Sequence, residues 1–175
     1  MKKRLLPLER LLSGGDLRSI GCAAAATEDL LAGLRSPEEF VRLIEEGTPV
    51  VRMRAADALE KATRSSPQLL SGAADWLLRL LTSTQSKEVR WHLLQMTPRV
   101  TWQRSRHAAL LSVIERAFSD ESAIVQASAL QAMAELAGQS VAFEDALRRR
   151  LPWAAQSARP SLRARARKLA GQNAA

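Results

Sequence analysis

The stretch Val51-Arg52-Met53-Arg54-Ala55-Ala56-Asp57-Ala58-Leu59 decides the fold, because it recurs. Thirty-eight residues on stands Val89-Arg90-Trp91-His92-Leu93-Leu94-Gln95-Met96-Thr97. Thirty-six further on stands Val125-Gln126-Ala127-Ser128-Ala129-Leu130-Gln131-Ala132-Met133, and 37 beyond that Leu162-Arg163-Ala164-Arg165-Ala166-Arg167-Lys168-Leu169-Ala170. A degenerate copy is expected 34 residues before the template, at Leu17-Arg18-Ser19-Ile20. The first column reads Val, Val, Val, Leu, the second Arg, Arg, Gln, Arg, and the fifth Ala, Leu, Ala, Ala. Self-similarity at such a period marks a chain built from stacked supersecondary units.

Each copy has the spacing of a helix. Apolar residues fall at offsets 0, +4, +7, +8 and +11, one face of a 3.6-residue period: Val51, Ala55, Ala58, Leu59 and Ala62 in the template. Offsets +3, +6 and +10 are mostly polar: Arg54, Asp57 and Lys61, then His92, Gln95 and Arg99. A second helical pattern precedes each copy. Ser36-Pro37-Glu38-Glu39 has the form of a capping box with proline in the first turn, and Gly47 and Pro49 end the helix it opens. Ser66-Pro67 is expected to open another helix, which carries Leu69, Leu70, Trp76, Leu77, Leu80 and Leu81. A third runs from about Arg104 to Phe118 and a fourth from about Val141 to Leu151. Pro98 is expected to kink or end the helix of the Val89 copy. One helical pair cannot bury its apolar face alone, so stacked pairs share a continuous core.

The period and the Val-Arg-x-x-Ala-x-x-Ala-Leu pattern of Val51 to Leu59 resemble HEAT repeats, clearly over about residues 35–171 and weakly before them. The chain departs from that pattern at Gln126, which replaces the arginine, and at Pro98. The turn aspartate that often precedes the valine is also missing before Val51 and Leu162. The resemblance implies an all-α fold: a right-handed, armadillo-type α-solenoid of four to five helix-turn-helix repeats. The expected divisions are a degenerate capping repeat at 1–34, repeats at 35–65, 66–101, 102–138 and 139–171, and a tail at 172–175. It also implies that the arginine column of Arg52, Arg90 and Arg163 packs against the turns of adjacent repeats. The competing expectation is an arginine ladder that grips phosphates.

Composition agrees with a helical, globular chain. Its 175 residues are 46% hydrophobic and 25% charged, with no tyrosine and 4% aromatics, which argues against a β-rich fold. One cysteine, Cys22, excludes an internal disulfide framework and a multi-cysteine metal site, and is expected to be a buried or idle thiol. Glu9 and Arg10 interrupt the apolar residues after Met1-Lys2-Lys3-Arg4 too early for a signal peptide. With no long apolar run, a cytoplasmic location is expected. The net charge of +8 is unevenly placed. All acids lie at or before Asp145, whereas residues 146–175 hold Arg148, Arg149, Arg150, Arg159, Arg163, Arg165, Arg167 and Lys168.

Catalysis finds little support. His92 and His107 fall on different helices, Ser13-Gly14-Gly15 lacks the lysine of a phosphate loop, and no nucleophile elbow is present. HEAT-like alkylpurine DNA glycosylases pair tryptophans with an aspartate one turn after a tryptophan. Here Gln95 stands four after Trp91, and Asp57 stands four after Met53. The expected function is therefore a non-enzymatic protein-binding scaffold without cofactor or metal. Arg54, Asp57, Trp91, His92, Gln95, Gln131 and Lys168 are the residues expected to face the concave groove. The alternative is a nucleic-acid binder anchored by the basic last pair. Trp76 is expected in the core, Trp91 in a gap between repeats, and Trp153 beside the basic cluster.

Overall fold

A computed structural model describes residues 6–14 and 22–172. The degenerate copy expected at Leu17–Ile20 and the tail from residue 173 lie outside the described residues. The chain is all-helical, with 79% of it in helix and no strand among the described residues. Among the described residues ten α-helices follow one another: α1 (Leu8–Leu12), α2 (Ala23–Leu31), α3 (Pro37–Glu46), α4 (Pro49–Ser65), α5 (Ala74–Ser83), α6 (Lys87–Met96), α7 (His107–Ala117), α8 (Ala123–Leu136), α9 (Val141–Ala155) and α10 (Pro160–Gln172). From α3 onward they pair as α3 with α4, α5 with α6, α7 with α8 and α9 with α10. The second helices pack consecutively, α4 on α6, α6 on α8 and α8 on α10, and α2 packs on α4. First helices meet less: α5 touches α7 and α7 touches α9 only sparsely.

The apolar columns make the core. Val51, Ala55, Ala58, Leu59 and Ala62 are all buried, as are Val89, Leu93 and Met96, then Val125, Ala129, Ala132, Met133 and Leu136, then Leu162, Ala166 and Leu169. A fully buried aliphatic side chain contributes about 1.5–3 kcal/mol relative to exposure. The alanines at +4 keep adjacent second helices close enough to share this core.

Local signals set the ends. Ser36 closes the expected capping box: its N–H donates to Glu39 Oε2 at 2.9 Å, and Pro37 occupies the first turn of α3. At Gly47 the chain turns so tightly that a Cβ would stand 2.6 Å from the Leu43 carbonyl oxygen and 2.8 Å from a Val51 methyl, so only glycine fits. Ser86 Oγ accepts from the Val89 N–H at 3.2 Å to cap α6. Helix α6 stops at Met96 and passes into a 3₁₀ turn, Thr97–Arg99, because Pro98 has no N–H to continue the ladder.

The helix expected to open at Ser66-Pro67 is divided. Pro67–Leu70 forms a separate 3₁₀ turn and α5 starts only at Ala74. Gly72 lies between them at φ +74°, a left-handed conformation that no helix continues through. Likewise the third first-helix is a 3₁₀ turn, Arg104–Arg106, followed by α7. Cys22, expected buried or idle, is exposed.

The arginine column closes turns, mostly within its own pair rather than the adjacent one. Arg52 Nε donates to the Gly47 carbonyl at 2.7 Å and Nη2 to the Glu45 carbonyl at 2.8 Å. Arg163 Nη1 donates to the Ser157 carbonyl at 2.7 Å. Gln126 does the same work with one nitrogen, donating to the carbonyls of Phe118 at 2.8 Å and Asp120 at 2.9 Å. Only Arg90 spans two pairs: its Nη2 donates to the Thr84 carbonyl of its own turn at 2.6 Å, and its Nη1 pairs with Asp120 of the next.

Candidate binding surface of the second helices

The polar columns divide into two by depth. Offset +3, expected to face a groove, instead lies between second helices. Arg54 is wholly buried, and its Nη1 donates to the Leu12 carbonyl at 2.8 Å and to the Gly14 carbonyl. His92 and Ser128 are also buried. Arg165 reaches back to the preceding second helix, donating from Nη1 to Gln131 Oε1 at 2.6 Å. A helical face about 60° from the apolar stripe is covered as soon as another helix packs beside it, and a long side chain there turns inward to reach a neighbour. Arg54 and His92 are thus structural residues and not groove residues.

His92 belongs to a small polar cluster at the α4–α6 junction. Trp91, half-buried against the core, stacks on its ring at 3.9 Å between centroids. Its Nε2 is 3.9 Å from Asp57 Oδ1, beyond hydrogen-bonding reach, and its Nδ1 is buried with no hydrogen-bond partner. Asp57 itself is mostly covered and pairs with Lys61 at 2.8 Å. Burial pushes the His92 imidazole below its usual value of 6.5, with Lys61 and Arg64 acting in the same direction and Asp57 and Glu60 opposing. The folded chain therefore resists a proton that the unfolded chain accepts below pH 6.5. Stability contributed here is complete above that pH and is lost as pH falls toward the folded value. Urea midpoints measured at pH 7.5 and 5.5 are expected to drop further for the native chain than for His92→Gln. Equal drops would show that His92 does not titrate against folding.

Offset +6 lies nearer the surface, and a depression of about 280 Å³ opens beside it, lined by Gln95 and Gln131 of that column but not by Asp57 or Lys168. Its walls come from four consecutive second helices and the turn after α6: Arg64, Gln95, Arg99, Gln131, Glu135 and Arg165 are the charged and amide members. Gln95 and Gln131 are the two expected groove residues that the structure brings together there. Lys168, the last residue of that column, is exposed on α10. The residues that sequence reasoning left out are Arg64, Arg99, Glu135 and, below them, Glu60. Arg99 and Glu135 lie at offset +10, a column already polar in the sequence, whereas Glu60 and Arg64 lie at +9 and +13, outside the columns that the repeat displays.

Glu60 organises this floor. Its side chain is 1% exposed and accepts from two guanidinium groups, Arg64 Nη2 at 2.7 Å and Arg99 Nη2 at 2.7 Å. Arg99 Nη1 also donates to the Glu60 carbonyl and to Thr63 Oγ1, both at 3.1 Å. The turn after α6 is thereby fastened to the end of α4. Gln131 Nε2 donates to Glu135 while its Oε1 accepts from Arg165.

Much of the basic C-terminal cluster serves packing. Arg148 pairs with Asp145 at 2.7 Å, Arg150 with Glu115, Arg163 with its turn and Arg165 with Gln131, and Arg159 donates to the Glu121 carbonyl. Arg150 also lies over the rings of Phe118 and exposed Trp153, at 4.7 and 5.3 Å from their centroids. Among the described residues only Arg149, Arg167 and Lys168 of this cluster lack a protein partner. Trp76 is half-buried against the core, and Trp102 is buried with its Nε1 donating to the Thr97 carbonyl at 2.8 Å.

Among the described residues no three His, Cys, Asp or Glu side chains gather to hold a metal ion. No helix among them is long and apolar enough to cross a membrane. His107 packs near Phe143, with ring centroids 5.6 Å apart, on the opposite layer from the depression. Compared with known proteins, the chain matches no family model and no curated protein.

Proposed function

We propose that the chain is a short α-solenoid of HEAT-type pairs and that it acts as a non-enzymatic scaffold. In this reading it holds an extended segment of a partner protein on the concave face made by its second helices. The observation that carries the reading is the shared depression, to which α4, α6, α8 and α10 all contribute lining side chains. A surface assembled from consecutive repeats is what a stack of helical pairs offers to a long ligand. The consecutive packing of second helices and the turn-closing column at Arg52, Arg90, Gln126 and Arg163 support the repeat assignment. A nucleic-acid role draws less support, because most of the basic last pair is already committed to carbonyls, carboxylates and Gln131.

The test is selection of displayed random peptides on the intact protein. Selected peptides are expected to bind with micromolar affinity and to lose at least tenfold on Gln95→Trp, which fills the depression without touching the core. Thermal unfolding of the variant checks its fold. Peptides that bind both proteins equally, or no enrichment at all, would sink the reading.

A further inference from the structure

From the charge and donor pattern of the depression we infer that its ligand is an acidic, extended polypeptide segment. The inference rests on the scaffold reading and names the partner's chemistry. Three arginines face one acid among the lining residues: Arg64, Arg99 and Arg165 against Glu135. Buried Glu60 offsets one of the positive charges and holds the guanidinium groups of Arg64 and Arg99 in fixed orientations. Lys61, on the exposed side, is already balanced by Asp57. The balance that a ligand meets is therefore positive, and exposed Lys168, the α10 member of the column that holds Gln95 and Gln131, adds to it.

Donors also remain for a ligand. Arg64 has a side chain 64% exposed and uses only Nε and Nη2 toward Glu60. Arg165 uses only Nη1, toward Gln131. The Gln95 amide, which makes no hydrogen bond among the described residues, offers a donor and an acceptor to a passing peptide group. A guanidinium held by a neighbour keeps its planar fork aimed, so less freedom is lost when a carboxylate docks.

Spacing favours an extended chain. Adjacent packed helices lie roughly 8–10 Å apart, so Arg64 on α4 and Arg165 on α10 stand on helices about three such steps apart. An extended chain in the polyproline II form advances about 3.1 Å per residue with three residues per turn, so every third side chain faces the same way. A segment with an acidic residue at about every third position would thus present one carboxylate per helix crossed, over roughly eight residues.

The experiment is fluorescence anisotropy with the full chain at physiological salt. The probes are three labelled twelve-residue peptides, repeats of Glu-Ala-Ser, Gln-Ala-Ser and Lys-Ala-Ser, and a labelled DNA duplex. The Glu peptide is expected to bind at least tenfold more tightly than the Gln peptide, since a hydrogen bond to an ionised carboxylate is roughly twice as strong as one between neutral groups. Arg64→Gln with Arg165→Gln is expected to remove at least a tenfold share of that affinity. Arg149→Gln, an exposed charge outside the depression, is expected to leave affinity within twofold. Glu135→Gln, which keeps an acceptor for Gln131, is expected to tighten the Glu peptide about threefold. Binding of the Glu and Gln peptides with equal affinity overturns the inference. So does a loss with Arg149→Gln as large as that of the double variant, or duplex DNA held more tightly than the Glu peptide and released by the double variant. Failure of all three peptides overturns it too, and if selected peptides still bind and respond to Gln95→Trp, the scaffold reading stands without it.

Discussion

Arg54→Ala is expected to lower the unfolding free energy by about 3–5 kcal/mol, the largest effect of any single polar substitution in this chain. Arg54 is the largest fully buried side chain, and its guanidinium is a donor to the carbonyls of Leu12 and Gly14. Truncation leaves those carbonyls without that donor and opens a void where the side chain lay. For a chain of this length the midpoint of thermal unfolding should fall by on the order of 10 °C. Arg54→Met restores most of the volume without the donors and should recover only part of the loss. The difference between the two variants in urea titrations separates packing from hydrogen bonding. A loss under about 1 kcal/mol for Arg54→Ala would mean that the contact with the Leu12–Gly14 segment contributes little.

The second large effect is expected at Glu60. Glu60→Ala should cost about 3 kcal/mol, because it strips a buried ion partner from Arg99, whose own side chain is only 21% exposed. Arg99→Ala should cost about 2–3 kcal/mol, since the Glu60 carboxylate keeps Arg64 but Thr63 Oγ1 and the Glu60 carbonyl lose their donor. Arg64→Ala should cost less than about 1 kcal/mol, because that guanidinium is exposed and solvent replaces it. The order Glu60→Ala, then Arg99→Ala, then Arg64→Ala, read from urea midpoints at neutral pH, is the test. Equal costs for the two arginines would mean that the turn after α6 is not fastened through Arg99.

Helical content, pair boundaries and the apolar stripe were legible in the sequence, because burial repeats with the 3.6-residue period and alanine, leucine and valine report it directly. Val51, Ala55, Ala58, Leu59 and Ala62 are buried as that period requires. Depth at the edge of the stripe was not legible. Offset +3 holds Arg54, His92, Ser128 and Arg165, polar in every copy, yet the neighbouring second helix covers most of them. A periodicity shows only the helix's own faces and does not include the partner that packs beside it. The split before α5 was written in Gly72, whose left-handed backbone a run of leucines concealed. Of the surface, Gln95 and Gln131 were found from their column, while Arg64 was missed because it lies beyond the repeating columns, and Glu135 because its polar column at +10 does not itself show which residues a neighbouring helix brings together.

The unequal packing of the two layers has a mechanical meaning. Second helices touch each neighbour along an unbroken row, whereas α5, α7 and α9 meet only sparsely. A beam bonded along one flange and segmented along the other resists stretching on the bonded side and yields by bending. Its soft coordinate is curvature, and the spacing between Arg64 at one end of the depression and Arg165 at the other changes with that curvature more than any helix changes within itself.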